Sequence, residues 1–324
     1  MMGCGTATFT DPDEYGATLP RVAISLVLTE RGEFRGQMTW VKLPGLGLLR
    51  CVENLSHIAF VSVAPGPVFV SFPIRCNPSL VWQGVEMQRG DIVLHGGDSR
   101  LCQRARGDCC WGLIAVESSV LRNCGAAIGR QTPSPAASAT FLRPPRAAAA
   151  SMLLLHERAC RLAETKSALI GRPEVVRALE HDLLYALVKC LTSDEAHRDS
   201  GERRRRAEIV ARLEETLAAH EAAPLPAPQL AAAVGVPERT LQACCAEFLD
   251  MSPGQYSRLR RLNLVRKALQ RADPYAASVS AIASQYGFRD AGRFGVAYRT
   301  AFGEPPSSTL REARKKFRPS AEFA

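Results

Sequence analysis

The chain has 324 residues, 46% of them hydrophobic, and a formal net charge of +9. This length is typical of two domains, and the composition is sufficient for ordinary hydrophobic cores. No run of about 18 apolar residues occurs, and residues 1–19 lack the basic start and apolar centre of a secretory signal. These observations argue against a membrane-spanning or exported protein and predict a cytoplasmic one.

The eleven cysteines are spaced in a way that favours neither disulfide bonds nor a metal site. Cys109-Cys110 and Cys244-Cys245 are adjacent pairs, and the sequence contains no C-x-x-C motif. We therefore expect reduced thiols that act as small apolar residues. A redox-sensing cysteine stays open as an alternative.

The first 20 residues contain Gly, Asp, Pro and Thr with little periodicity, which predicts a flexible arm. From residue 21 to about residue 120, short apolar runs alternate with Gly, Pro and Asn turns. The clearest predicted strands cover residues 22–28, 47–52, 57–63, 68–72, 91–94 and 111–116. Strands at about ten-residue spacing are typical of a small β-barrel or β-sandwich.

The strand region contains no pattern of catalytic or metal-binding residues. His57 and His95 stand apart, without an H-x-H motif, so we expect structural or solvent-facing histidines and no metal. The aromatic residues Trp82, Trp111 and Phe72 have two interpretations, pocket lining or plain core, of which core is the commoner.

Two helices are predicted after an Ala/Pro/Ser-rich connector at residues 126–150. They cover residues 147–166 and 173–191, so that the helical part of this domain runs over about 147–191. The second helix has an apolar stripe at helical spacing, formed by Val176, Leu179, Leu183, Leu184, Leu187 and Val188. Such a stripe either covers the strands of the same domain or forms a surface between two copies.

An interdomain linker is predicted at residues 193–206, because this segment is polar and ends in a run of four arginines. These arginines would contact phosphate or simply be solvated. A second domain is then predicted from 207 to 318, beginning with a helix at 207–221, and residues 319–324 form a tail.

The second domain contains one short pattern twice. Residues 230–236 read LAAAVGV and residues 282–288 read IASQYGF, and a helix-like run follows each copy. The glycines Gly235 and Gly287 follow the last apolar residue of a helix, where a left-handed backbone suits a residue without Cβ. The pattern predicts two helix-turn-helix units, with Pro237 in the first turn of one second helix and Asp290 as the N-cap of the other.

The positive charge is concentrated on this repeat. Residues 225–318 hold about 15 Lys and Arg against about 7 Asp and Glu, which accounts for nearly all of the net surplus. A basic segment with two helix-turn-helix units is typical of a module that binds duplex DNA.

The segment from about 226 to 318 resembles the DNA-binding domain of AraC/XylS-type bacterial transcription regulators. The resemblance rests on the following residues: Leu230-Ala231, Gly235, Arg239-Thr240-Leu241-Gln242, Ser252-Pro253, Tyr256, Arg260-Arg261-Leu262, Ala268, Val279, Ile282-Ala283, Tyr286-Gly287-Phe288, Asp290, Arg293-Phe294, Tyr298-Arg299, Phe302-Gly303, Pro306 and Leu310-Arg311. The departures are Pro237, where a capping Ser is usual, Cys244-Cys245, where a basic or aromatic pair is commoner, and Asp250, where Gly is usual.

The resemblance implies an α+β protein with two domains. Residues 21–192 would form a cupin-like β-barrel or sandwich with strands at 21–120 and a helical dimerisation segment, and residues 207–318 an all-α domain whose helix-turn-helix units are joined by a linker helix. The implied partners are double-stranded promoter DNA, a second copy in a homodimer, a small-molecule effector and RNA polymerase, with no membrane. No cofactor, metal or catalytic residue is implied, so the chain is expected not to be an enzyme.

The linker helix at about 253–271 would be about 27 Å long and hold the two units apart, so that their second helices enter successive major grooves. On the first recognition helix the residues expected to face the bases are Glu238, Arg239, Gln242 and Ala243. On the second, the exposed set is Arg289, Ala291, Gly292, Arg293 and Val296. We expect this helix to contribute mainly phosphate contacts, through Arg289, Arg293 and Arg299, with Arg311 and the basic tail adding others.

The leading hypothesis is therefore a sequence-specific transcription regulator, of which activation is the common mode in the family. Three alternatives are a non-specific architectural DNA-binding protein, a metal enzyme housed in the barrel, and a DNA-repair enzyme with alkyl-accepting cysteines. The last two require clusters of His or Cys residues, which the sequence does not contain.

Overall fold

The computed structural model describes residues 3–19, 21–75, 79–96, 100–132, 139–192, 201–273 and 276–317, with side chains to residue 312. The chain forms two compact units. The first comprises Met1–Leu26 and Glu33–Arg204, and the second Val27–Gly32 and Arg205–Ala324. The α+β class is confirmed, because strands dominate the first unit and the second is helical apart from its N-terminal segment.

The strands of the first unit form two sheets in a sandwich-like arrangement. The larger sheet contains, in spatial order, β1 (Gly3–Phe9), β3 (Gly36–Lys42), β4 (Leu46–Glu53), β11 (Cys109–Val116), β6 (Val68–Arg75), β9 (Ile92–Leu94) and β12 (Thr140–Leu142). The smaller sheet contains β2 (Val22–Leu28), β5 (His57–Val63), β10 (Arg100–Ala105), β7 (Leu80–Trp82) and β8 (Val85–Glu86). Two predicted strands, 22–28 and 57–63, coincide with β2 and β5.

The prediction of a flexible N-terminal arm is wrong for the described residues. The strand β1 pairs antiparallel with β3 along its whole length, from Gly3 opposite Lys42 to Phe9 opposite Gly36. The helix α1 (Pro12–Ala17) then inserts the fully buried Tyr15 into the unit, where its hydroxyl donates to the Glu53 carboxylate. The arm is ordered by these distant contacts, which the local composition does not reveal.

The predicted helices of the first unit are present as α3 (Arg146–Thr165) and α5 (Pro173–Leu191), accompanied by α2 (Ser118–Ala127) and α4 (Ser167–Ile170). The apolar stripe of α5 is buried in one core with α3 and the larger sheet. It therefore covers the strands of its own unit. Large apolar side chains that stay exposed on these helices are Leu154 of α3, at 47%, and Tyr185 of α5, at 40%.

The predicted connector at 126–150 is partly regular structure, because it overlaps the end of α2, the strand β12 and the start of α3. Residues 133–138 of this connector lie outside the described part of the chain. The predicted linker at 193–206 differs in a similar way. Residues 193–200 lie outside the description, and residues 201–206 form the first turns of a helix.

The second unit contains seven helices in its described residues. They are α6 (Gly201–Ala219), α7 (Ala227–Val234), α8 (Glu238–Leu249), α9 (Pro253–Arg271), α10 (Val279–Gln285), α11 (Ala291–Phe302) and α12 (Pro306–Phe317). The unit also includes the segment Val27–Gly32, which the sequence had led us to assign to the first domain. The side-chain amide of Asn263 accepts from the backbone N–H of Leu28 at 3.0 Å and donates to its carbonyl at 3.1 Å.

Candidate nucleic-acid interface

The first helix-turn-helix is formed by α7 and α8, joined at Gly235. This residue has a φ of 77° and lies in the left-handed region, as its position in the repeat predicts. Its N–H and that of Val236 close the end of α7 on the carbonyls of Ala231 and Ala232. Pro237 precedes α8 and caps it through its carbonyl, so it lies one position earlier than the predicted first turn.

The side chains of α8 divide between a core face and an exposed face. Leu241, Cys244, Cys245, Phe248 and Leu249 are buried. The four predicted base-reading residues, Glu238, Arg239, Gln242 and Ala243, are all exposed on the opposite side. Gln242 donates to Glu238 over 3.2 Å, whereas no hydrogen bond or ion pair engages Arg239 among the described residues. A guanidinium without such contacts can turn toward the edge of a guanine base.

The second helix-turn-helix is formed by α10 and α11, joined at Gly287 with a φ of 76°. A Cβ at Gly287 would lie 2.7 Å from the Pro224 ring, so both the backbone angle and the close approach require glycine. Asp290 caps α11, because its carboxylate accepts from the backbone N–H of Arg293 at 2.9 Å. The predicted cap is therefore present.

The predicted residues of the second recognition helix lie on the exposed face of α11, except Arg289, which lies in the turn before it. Phe294, Tyr298 and Phe302 are buried, and Arg289, Ala291, Gly292, Arg293, Val296 and Arg299 are exposed. Arg311 is exposed as well, but its guanidinium bonds to the Ser307 carbonyl and the Ser308 hydroxyl of its own helix, at 3.3 and 3.1 Å. The side chains of the predicted basic tail at 314–318 lie outside the described part of the chain.

A buried polar network joins α6 to the linker helix α9. The Glu214 carboxylate accepts from the Tyr256 hydroxyl at 2.6 Å and from Arg260 Nε at 2.8 Å, and Arg260 Nη1 lies 3.1 Å from Glu221. Burial lowers the pKa of Arg260, but its carboxylate partners, Glu214 first, outweigh burial and raise it. The sequence analysis missed Glu214, although it follows Val210 by four residues and precedes Leu217 by three, on the apolar face of α6.

A second set of contacts holds α9 to the turn of the second helix-turn-helix. Arg261 Nη1 donates to the carbonyl of Tyr286 at 3.0 Å, and its guanidinium lies over the Phe288 ring at 4.7 Å from the centroid. Ser252 and Gln255 form a reciprocal capping box at the start of α9. With about 19 residues, α9 extends over about 28 Å. The linker helix is thus anchored to the elements on both sides of it.

The cysteines of the described residues form no disulfide bond. The ten that the structure describes are free, and eight of them are buried. Burial raises the pKa of the Cys245 thiol to about 12, and it raises the pKa of its neighbour Cys244 as well. These two thiols therefore act as core side chains of α8.

The first unit contains an apolar cavity of about 590 Å³. Apolar side chains in its lining include Met38, Trp40, Leu49, Phe69 and Leu113, and its charged residues are Arg21, Lys42 and Glu117. The aromatic residues considered for a pocket, Trp82, Trp111 and Phe72, do not line this cavity and are buried in the core.

The two histidines of the strand region are both buried. His57 lies with its Nδ1 2.9 Å from the Leu55 carbonyl, and His95 with its Nε2 2.5 Å from the Ser71 hydroxyl. Among the residues that the structure describes, no group of three or more His, Cys, Asp or Glu side chains is placed to hold a metal ion. In the same part of the chain, no helix is long and apolar enough to cross a bilayer.

Comparison with known proteins supports the interpretation of the second unit. The family model described as "Helix-turn-helix domain" matches residues 230–312. The probable thc operon regulatory protein of Rhodococcus erythropolis is 40% identical over 95 residues, 29% of each chain. The XylDLEGF operon transcriptional activator of Pseudomonas putida is 38% identical over 78 residues, 24% of each chain. The matched segment thus spans less than a third of these relatives.

A solved structure gives a similar match over the same kind of domain. A probable AraC family transcriptional regulator from Rhodopseudomonas palustris CGA009 is 30% identical, over 32% of this chain and 96% of that one, with a TM-score of 0.29. The family match, the two left-handed glycine turns and the exposed faces of α8 and α11 agree with each other. Residues 230–312, in the second unit, carry an AraC-type helix-turn-helix domain.

Proposed function

We propose that the chain is a sequence-specific transcription regulator that inserts α8 and α11 into successive major grooves of promoter DNA. The observation that carries the proposal is the division of both helices into a core face and an exposed face. On α8 the exposed set can form hydrogen bonds to base edges, and on α11 with the turn before it the exposed set contains three arginines. The protein acts by binding, without catalysis, and in the cytoplasm, where promoter DNA is available.

The two helices have different tasks in this proposal. On α8, Arg239 forks onto guanine, Gln242 pairs with adenine, and Glu238 accepts from cytosine. Arg293 and Arg299 of α11, together with Arg289 of the turn before it, contact phosphates. Removal of a base contact should relax selectivity at one position, and removal of a phosphate contact should weaken all sequences and reduce the salt dependence.

The experiment is duplex binding by the full-length chain at two salt concentrations. The probes are a site selected from a random duplex pool and an unselected random duplex. We expect Arg239→Ala to lose about 1–3 kcal/mol on the selected site and much less on random DNA. Arg299→Ala should weaken both alike and lower the salt slope by about 1. Arg122→Ala, at an exposed arginine of α2 in the first unit, is the matched control.

Two outcomes would overturn the proposal. Equal and steeply salt-dependent binding to both probes would indicate a non-specific architectural protein. Selective binding that survives Arg239→Ala together with Gln242→Ala would show that α8 does not read the bases.

The cavity of the first unit supports a small-molecule effector as a further partner. Its lining is mainly apolar, and its two cations, Arg21 and Lys42, outnumber its one carboxylate, Glu117. We therefore propose an apolar effector with an anionic group. Differential scanning fluorimetry with short aromatic and aliphatic carboxylates tests this. A compound that raises the Tm of the full chain should lose its effect in Leu113→Trp, which fills the cavity. An unchanged effect would place binding elsewhere.

We also propose that two copies associate through the outer faces of α3 and α5. The supporting observation is the exposure of Leu154 and Tyr185, since the inner faces of these helices are used by their own core. Sedimentation of Leu154→Glu/Tyr185→Glu beside the unmodified chain should show loss of the dimer. The name of the P. putida relative as a transcriptional activator supports activation, and hence RNA polymerase as a partner.

A further inference from the structure

Val296 is a highly exposed apolar residue on the second recognition helix. It is 69% exposed, more than Trp40, Leu154 or Tyr185, the other exposed large hydrophobic residues in the described part of the chain. A single exposed apolar residue is common on protein surfaces. The surroundings of Val296 on α11 distinguish it from that ordinary case.

The side chain of Val296 projects from the face opposite the core of α11. At 100° per residue, Gly292, Arg293, Arg299 and Thr300 all lie within about 60° of it around the helix. These four neighbours are exposed. Val296 is thus the centre of the surface that α11 presents to solvent, flanked by two arginines.

Two glycines near Val296 leave the helix backbone uncovered by side chains. Gly292 and Gly295 lie within a helix of 12 residues, where each costs about 1 kcal/mol relative to alanine. Neither has a positive φ, and a Cβ at Gly295 would meet nothing within 4 Å, while one at Gly292 would make only ordinary contact with Asp290. The interior of the protein therefore does not require either glycine. Their lack of side chains allows an outside surface to approach the backbone of α11 closely.

The arginines around Val296 favour DNA as the surface that approaches α11. Arg289, Arg293 and Arg299 are exposed around the apolar centre and complement the phosphates on both sides of a groove. With the helix backbone close to the groove, a short branched side chain reaches the base edges. The apolar group that a base pair presents in the major groove is the 5-methyl of thymine.

We propose that Val296 reads thymine through its 5-methyl group in the half-site contacted by α11. This inference rests on the proposed DNA-binding function and assigns to α11 a sequence preference of its own. Val296 is then a specificity residue that acts by apolar contact, whereas α8 reads its half-site by hydrogen bonds.

Deoxyuridine substitution tests the proposal, because it removes the methyl group and leaves the base-pairing edges intact. The full-length chain first selects a site from a random duplex pool, and each thymine is then replaced singly by deoxyuridine. Burial of one methyl group corresponds to roughly a fourfold change in affinity. We expect that loss at one thymine or two adjacent ones in the α11 half-site, and in Val296→Ala we expect the same substitution to cause no further loss.

Three controls separate the possible causes. Val296→Ile keeps the apolar contact and should keep the penalty for deoxyuridine. Asn123→Ala changes an exposed, uncharged residue of α2 in the first unit and should leave every probe unchanged. Deoxyuridine in the α8 half-site should affect the unmodified chain and Val296→Ala equally.

The outcomes distinguish this inference from the function on which it rests. Failure to select any site overturns both. A selected site whose binding depends on Arg239, with no deoxyuridine penalty that depends on Val296, overturns the thymine contact alone. If Val296→Ala binds every probe normally but fails to stimulate transcription in a reconstituted assay, the residue contacts a protein, and the proposal is also wrong.

Discussion

The amide of Gln242 donates to the carboxylate of Glu238 one turn earlier on α8, with 3.2 Å between Nε2 and Oε1. Two of the candidate base-reading residues therefore hold each other in the absence of DNA. The contact fixes the direction of the Gln242 amide, which favours a planar bidentate contact with adenine. In the proposed complex, the Glu238 carboxylate would also bring a negative charge to the face of α8 that approaches DNA.

Glu238→Ala should separate these two effects. Loss of the charge should raise affinity for random duplex by roughly twofold to fivefold at low salt. Loss of the contact with Gln242 should lower the preference for the selected site. Fluorescence anisotropy with both probes measures the two changes. Glu215→Ala, which removes an exposed charge from α6, is the control and should change neither. A rise in affinity without any loss of preference would show that the contact does not orient Gln242.

Glu214→Gln should destabilise the second unit by about 3 kcal/mol, because Arg260 would keep its charge in a buried site without its main carboxylate partner. The matched control is Glu215→Gln at the next position, which is exposed and should lie within about 0.5 kcal/mol of the unmodified chain. Urea unfolding followed by circular dichroism measures both variants. Equal stabilities would mean that Glu221 alone compensates Arg260.

The first unit should lose stability in mild acid. Burial lowers the pKa of His95 to about 3 and that of His156 to about 4, while the unfolded chain protonates histidine near 6.5. The stability of the neutral form is complete above about pH 6.5 and is lost as the pH falls toward the folded values, by up to about 1.4 kcal/mol per unit for each residue.

Unfolding between pH 7 and pH 5 tests this dependence. His95→Gln should reduce the slope, because it removes one titrating group while an amide can still contact Ser71. His181→Gln, at an exposed position of α5, should leave the slope unchanged. Identical slopes in all three proteins would show that carboxylates dominate the acid sensitivity.

At two helix ends with a left-handed backbone, glycine should be more stable than a residue with a side chain. Asp250 closes α8 with a φ of 61°, a conformation that costs L-residues about 1 kcal/mol or more. Asp250→Gly should therefore raise stability by up to about 1 kcal/mol. Gly235→Ala, at a φ of 77° with open space around the missing Cβ, should lower it by about 1–2 kcal/mol. Thermal unfolding measures both, and changes of the same sign would refute the backbone explanation.

The parts of the fold that follow local rules were predictable from the sequence. The turns at Gly235 and Gly287 follow from a glycine at a helix end, and the exposure of Glu238 and Gln242 follows from the helical period. The roles of these residues toward DNA stay predictions. The order of the N-terminal arm depends on Tyr15 reaching Glu53, 38 residues away in sequence, and no local pattern indicates such a contact.

The linker arginines show the same limit. Residues 201–206 have the composition of a solvated segment, yet they continue α6, and Arg206 reaches Glu247 of α8 at 2.6 Å. Glu214 was missed for a related reason, because a charged residue on an apolar face is recognised only when its buried partners are known.

The contact of Gly287 with Pro224 carries a further consequence. The turn of the second helix-turn-helix packs on the loop before the first, and the Glu214 and Arg261 contacts hold α9 on either side. These contacts hold the two recognition helices at one separation and orientation. One base pair inserted between the half-sites would move them apart by about 3.4 Å and rotate one against the other by about 34–36°. The contacts among the described residues oppose that change, so we expect the domain to require a fixed half-site spacing as well as particular bases.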